Sequence, residues 1–271
     1  MKKLLILSVC ALFVCTQAAA WSRQGHATIA KIAENHLTPE AKARITEMLH
    51  GRSIVYYASY ADDYKNRLIV DLGFDPTNWN RMSELPHTFE ANEDCTPYRG
   101  LNRDGEYVKN CLYFIEKIRN ELEHPEKMSD TIKVQAIALL VHFVGDMHCP
   151  MHIRYPDDQT IGKFDVTFRG AKKTLHSLWD SSVLTVKHPW SFTDIASLLD
   201  TYTEPEITEI TKGGVWDWGY ESAKLSRPVH NVKPGAVLDM EFILENKPLT
   251  ESQIAKAGYR LAKMLNDLFG N

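Results

Sequence analysis

The chain has 271 residues, 44% of them hydrophobic and 24% charged, long enough for one sizeable core and ordinary enough in charge for a soluble globular protein. Its formal charge of −4 gives it no basic footprint of the kind that phosphate-backbone binders use, so any phosphate recognition must lean on metal. Residues 1–20 read as a secretory signal peptide: Lys2 and Lys3 form the positive region, Leu4 to Val14 the apolar stretch, and Ala18-Ala19-Ala20 a small-residue cleavage site. Cleavage there leaves Trp21 at the N-terminus, one domain over 21–271 and a formal charge of −6. The apolar run is shorter than the ~20 residues a bilayer requires, and lipid attachment at Cys15 is disfavoured by Val14 before it. A periplasmic or extracellular monomer is expected.

Most of the mature chain carries a helical period. Ala27 to His36 is a short helix, and Thr38-Pro39 opens a second that ends before Gly51. Ile54 to Lys65 reads as a third. Residues 74–106 break the pattern with Asp75-Pro76, Leu85-Pro86, Thr96-Pro97 and Arg103-Asp104-Gly105, a long irregular excursion of the sort that often carries function. Helix resumes from about Tyr107 to Glu123 and from Ser129 to about Met147, where Pro150 stops it. The latter is apolar nearly all round and should be a central buried helix. Phe164 to Phe168 alternates as a hairpin strand, Leu175 to Leu184 and Trp216 to Leu225 are helical, and Thr250 with Gln253 reads as the capping box of a final helix ending near Phe269. The fold class is therefore mainly α, with a small β-hairpin.

Two spacings carry chemistry. His142 and Asp146 lie four apart on one face of the central helix, and His176 and Asp180 repeat the spacing on another. A single such pair is equally well a hydrogen bond inside a core, but burying an imidazole and a carboxylate twice over is costly unless they are paired or bind metal. Imidazole with carboxylate suits zinc. His152, His26, His87, Asp62 and Asp63 are further candidates, each weak alone. No HExxH zincin, GxSxG elbow or phosphate-cradling glycine loop is present. The mature cysteines Cys95, Cys111 and Cys149 leave open both a Cys95–Cys111 disulfide across a polar loop and three free thiols.

Taken in order, Trp21-Ser22-Arg23-Gln24-Gly25-His26, Ala58-Ser59-Tyr60-Ala61-Asp62, Leu85-Pro86-His87, His142-Phe143-Val144-Gly145-Asp146 with His152, Leu175-His176-Ser177-Leu178-Trp179-Asp180 and Ala257-Gly258-Tyr259-Arg260-Leu261-Ala262 resemble the single-strand-specific zinc nucleases of the S-one/P-one type. That family shares its fold with bacterial zinc phospholipase C, and the resemblance spans essentially the whole mature chain. It implies a helical, phospholipase C-like fold and a site of three zinc ions. Asp62, His87, His142 and Asp146 would hold one, Trp21, His26 and the bridging Asp146 a second, and His152, His176 and Asp180 the third. The implied reaction is hydrolysis of single-stranded DNA or RNA to 5′-phosphorylated products, with 3′-nucleotidase activity, by metal-activated hydroxide. A phospholipase C is the alternative, and a zinc-storage protein is disfavoured because structural sites usually have four protein ligands each.

The resemblance also implies catalytic roles for Asp62 and Asp146, and for Lys65, which stands where an Arg is expected and keeps the charge without the guanidinium fork. The family's base-stacking aromatic and the Asp two residues after it are replaced by Thr88, Phe89 and Glu90, which makes Phe89 and Glu90 the expected substrate-binding pair. His148 and Cys149 are alternative zinc ligands that the resemblance leaves unassigned, Cys149 doubling as a small buried hydrophobe.

Overall fold

A computed structural model describes residues 21–64, 87–101, 105–185 and 190–270, with the Tyr64 side chain omitted. The expectations on residues 1–20, on Lys65 and on Leu85-Pro86 fall outside these.

Ser22 caps α1 (Arg23–Asn35) by accepting from the Gly25 N–H, so this helix starts four residues earlier than its apolar period indicates. Thr38 caps α2 (Pro39–Met48) with Pro39 in the first turn, where its missing N–H costs nothing. The expected third helix divides into a 3₁₀ turn, Ile54–Tyr57, and a short α3 (Tyr60–Tyr64). The 87–101 part of the excursion contains the two-residue strand β1 (Phe89–Glu90). Asn110 then caps α4 (Cys111–Leu122), and Ser129 caps α5 (Asp130–Met147).

From Ala136 to Met147 every residue of α5 is buried. The helix packs against α1, α3, α4 and α11 (Met240–Phe269). After Pro150 the chain forms a 3₁₀ turn and β2 (Ile153–Arg154), which pairs in parallel with β1, Phe89 opposite Ile153 and Glu90 opposite Arg154. The expected hairpin is β3 (Asp165–Phe168) with β4 (Ala171–Thr174), and β5 (Val237–Leu238) joins β3 in parallel. Residues 175–185 are helical as expected, but through a π-turn (Leu178–Ser182) between the short α6 (Leu175–Ser177) and α7 (Val183–Thr185). Two helices that the sequence reading passed over come next, α8 (Phe192–Leu199) and α9 (Glu204–Ile210), and then α10 (Val215–Ser226).

The last helix corrects an expectation. It begins at Met240, capped by Asp239, and runs through Pro248. Thr250 and Gln253 form no capping box: the Thr250 hydroxyl bonds back to the Asn246 carbonyl (3.2 Å), and the Gln253 amide is buried, donating to Ser222 Oγ (2.8 Å) and the His148 carbonyl (3.2 Å). Among the described residues, Cys95, Cys111 and Cys149 are free and buried. Cys111 faces α5, its thiol directed at the Phe143 carbonyl, whereas Cys95 lies in a turn near Arg227 and Lys224, so the two face different neighbours and no disulfide links them.

The main core gathers α1, α2, α4, α5, α8 and α11, and a second cluster around Met151, Phe168, Leu178 and Trp179 lies beneath the hairpin. α1 and α11 meet at Gly258, where a β-carbon would stand 2.6 Å from Ile32 Cβ. Gly258→Ala should therefore destabilise the protein by about 1–3 kcal/mol through overpacking, although alanine propagates a helix better by about 1 kcal/mol. Urea denaturation tests this, and a raised midpoint would show that the helices part freely.

Candidate metal centre

α1 and α5 bring His26, His142 and Asp146 together. Asp146 Oδ1 lies 3.3 Å from His26 Nε2, and Oδ2 lies 3.3 Å from His142 Nε2. The two rings stack at 4.1 Å. This proximity depends on Gly145, whose β-carbon would be 2.8 Å from His26 Nδ1. Asp62 on α3 approaches the same group, its Oδ2 4.0 Å from His142 Nε2. The parallel pairing of β1 with β2 sets His87 against His152, ring centroids 5.0 Å apart, and His152 Nδ1 is 3.8 Å from Asp146 Oδ1. His176 and Asp180 lie across the π-turn, Nε2 to Oδ2 3.4 Å, and the His176 ring stacks on His152 at 5.3 Å.

Trp21 is fully buried beside them, its indole N–H donating to the Gly145 carbonyl at 3.0 Å. The next amide, Ser22 N–H, donates to the Asp180 carbonyl at 2.6 Å. Gly25 leaves room for the Trp21 side chain, since a β-carbon there would meet Trp21 Cβ at 2.8 Å. All nine residues expected as ligands are thus gathered around Asp146 and Asp180.

Three histidines are oriented alike. Nδ1 of His142 bonds to the Ala58 carbonyl (2.9 Å), that of His152 to the His87 carbonyl (3.1 Å) and that of His176 to the Ile161 carbonyl (2.8 Å). Each ring donates its Nδ1–H outward, which fixes the tautomer and leaves the Nε2 lone pair for the interior. Ile161 reaches its position with φ of 50°, a left-handed conformation costly for a β-branched residue, next to Gly162 at 68°. These carbonyl partners carry no signal in the sequence.

The interior atoms are without partners. Both nitrogens of His26, both oxygens of Asp146 and of Asp180, Asp62 Oδ2 and His152 Nε2 are buried with no hydrogen bond. Burial lowers His26, His87 and His176 to about 4 and pushes Asp146 and Asp180 well above the usual carboxylate range. Neutral imidazole nitrogens converging on carboxylates that lack hydrogen-bond donors are the donor set of a zinc site, so the residues fit such an ion. Among the described residues, two groups lie within metal-binding reach: His26, His142 and Asp146, and Cys149, His152 and Asp180.

His148 is spent elsewhere. Its Nδ1 bonds to the Val144 carbonyl (2.7 Å) and its Nε2 accepts from Arg260 (3.0 Å), so it is no ligand. Phe89 is fully buried in the core and presents no face to a base, which overturns its expected stacking role. Glu90 is half-buried opposite Arg154 in the strand pair, and burial raises its pKa. The sequence reading missed Lys163, an exposed cation near enough for its charge to bear on His87, His176 and Asp180.

The model of the S1/P1 Nuclease family matches residues 21–270. The chain belongs to the S1/P1 nuclease family. It is 27% identical to Nuclease P1 of Penicillium citrinum, over 93% of this chain and 98% of that protein. It is 25% identical to Nuclease S1 of Aspergillus oryzae, over 98% of each. Endonuclease 2 of Arabidopsis thaliana is 23% identical, over 98% of this chain and 97% of its own length. The chain is accordingly an enzyme that hydrolyses phosphodiester bonds in nucleic acid, and the phospholipase C alternative is not favoured. The family is in general zinc-dependent. No helix among the described residues is long and apolar enough to cross a membrane.

The lowered histidines set an acid limit for the metal-free protein. Between pH 6.5 and about 4 the unfolded chain protonates His26, His87 and His176 while the fold keeps them neutral, so stability falls as pH falls through that window. Asp146 and Asp180 act oppositely, favouring the fold while they stay protonated, but more groups are lowered than raised, since His148 is also held at about 3. Melting temperatures of chelator-treated protein should drop across this range, and a flat profile would contradict the buried, neutral histidines.

Proposed function

We propose that this chain hydrolyses single-stranded DNA and RNA to 5′-phosphorylated products, and removes phosphate from 3′-nucleotides, with three zinc ions held by the nine gathered residues. Asp62, His87, His142 and Asp146 would hold one ion, Trp21, His26 and Asp146 a second, and His152, His176 and Asp180 the third. The observation that carries this reading is the common orientation of His142, His152 and His176, each donating Nδ1–H to a backbone carbonyl and leaving Nε2 beside orphaned carboxylate oxygens. Bound zinc supplies Lewis acidity toward phosphoryl oxygens and lowers the pKa of water.

The chain's own contribution is positioning and exclusion. Asp146 has one oxygen toward His26 and the other toward His142, so a single carboxylate can bridge two ions. The buried surroundings keep bulk water from screening charge there. Lys163 adds positive charge on the side of His176 and Asp180, where the phosphate oxygens would arrive. No protein nucleophile is required. Lys65 keeps in this reading the catalytic role that the resemblance implies, and Glu90 its role in substrate binding.

We read residues 1–20 as a leader removed on export, so that the enzyme acts in the periplasm or medium as a monomer. Removal turns the Trp21 nitrogen from an amide into an amine able to bind metal, provided it is neutral. Mature protein carrying one extra residue before Trp21 should lose about one zinc per chain by metal analysis. Unchanged zinc content would remove Trp21 from the ligand set. The substrate assignment is tested by comparing single-stranded DNA, RNA, duplex DNA, a 3′-mononucleotide and phosphatidylcholine, with and without chelator. Single strands should be cleaved much faster than duplex, and chelation should abolish cleavage. Hydrolysis of phosphatidylcholine alone would overturn the assignment.

A further inference from the structure

Cys149 precedes the 3₁₀ turn Pro150–His152 and is fully buried. Its sulfur, a His152 ring nitrogen and an Asp180 carboxylate oxygen all lie within 4.8 Å of one another. The neighbours of the sulfur show that this is more than a small side chain filling space. His152 Nε2 and both Asp180 oxygens are buried without hydrogen-bond partners, with Asp180 only 5% exposed. The other two cysteines lack these neighbours: Cys111 is directed at the Phe143 carbonyl, and Cys95 lies in the turn near Arg227.

We propose that Cys149 is a fourth protein ligand to the ion held by His152, His176 and Asp180. The proposal rests on the three-ion reading above and refines it. As metal binds, the S–H bond breaks, a sulfur–metal bond forms and the proton leaves to solvent, with no change of oxidation state. A coordinating thiol is deprotonated outright by the metal's charge. Two imidazoles, a carboxylate and a thiolate would together hold zinc more tightly than the three ligands without sulfur. A thiolate also biases the position toward zinc and against magnesium, calcium and manganese, which prefer oxygen ligands.

The experiment replaces zinc with cobalt(II) in the mature protein and records the near-ultraviolet absorption. Thiolate ligation produces an intense sulfur-to-cobalt charge-transfer band, a readout independent of activity and of any variant. The band should be present in the native sequence and absent in Cys149→Ser and Cys149→Ala. Both variants should hold the third ion more weakly by more than the ~10–100-fold that accompanies loss of an outer-shell partner. The double variant His176→Ala/Asp180→Ala serves as the control for the parent reading and should lose the same ion. If the native protein shows no band while the double variant still loses an ion, Cys149 is no ligand and the three-ion reading survives. If the double variant retains all its metal, the third site fails and the role of Cys149 fails with it.

Discussion

The structure turns on one buried carboxylate that has no hydrogen-bond partner among the described residues. Asp146 is wholly buried, and the ring nitrogens of His26 and His142 each lie 3.3 Å from one of its oxygens. Burial holds those imidazoles in their neutral form and drives Asp146 toward its neutral form as well. Each group resists charge because it is out of water, and taking an ion out of water costs several kcal/mol even after relaxation. A cation reverses this balance, since neutral imidazoles and an ionised carboxylate are then the preferred states. Asp180, His152 and His176 repeat the arrangement one helical segment away.

The fold keeps these groups ready by spending backbone rather than side chains. The three carbonyls that receive Nδ1–H belong to residues outside regular helix: Ala58 after a 3₁₀ turn, His87 in the approach to β1, and Ile161 in a left-handed turn. Carbonyls within a helix are already committed to the N–H four residues on, so irregular segments are where such acceptors are free. The two-residue ladder between β1 and β2 is too short to stabilise a sheet by itself. Its consequence is positional, because its register fixes His87 beside His152.

The same division separates the features legible in the sequence from those that were not. The pairs His142/Asp146 and His176/Asp180 were legible because helical period places i and i+4 on one face. Helix geometry also accounts for His148, two residues beyond Asp146 and thus about 200° around the axis, on the opposite side. The proximity of His87 to His152 was not legible, since it depends on a parallel pairing across more than sixty residues with no pattern longer than two. Phe89 was misread because its side of β1 is decided by that same pairing. Thr250 and Gln253 match a capping box by residue type, yet Gln253 is claimed by Ser222 and His148, and helix continues through Pro248 on tertiary packing.

α11 contributes no ligand, yet it holds in place the two helices that supply His26, His142 and Asp146. Gly258 lets it lie directly against Ile32 on α1. Two turns of α11 also reach the end of α5: Gln253 donates to the His148 carbonyl, and the buried Arg260 donates to His148 Nε2. Arg260 is itself fixed by Glu221 and the Ile210 carbonyl. His148 must be neutral to accept from Arg260, and burial with the adjacent guanidinium keeps it so, at about 3. The last turn of α5 is therefore gripped on the face opposite Asp146, while α1 is seated on the same α11. The separation of His26 from Asp146, on which the centre depends, thus rests on Gly145 at the contact itself and on Gly258 and Arg260, which seat the two helices without touching it.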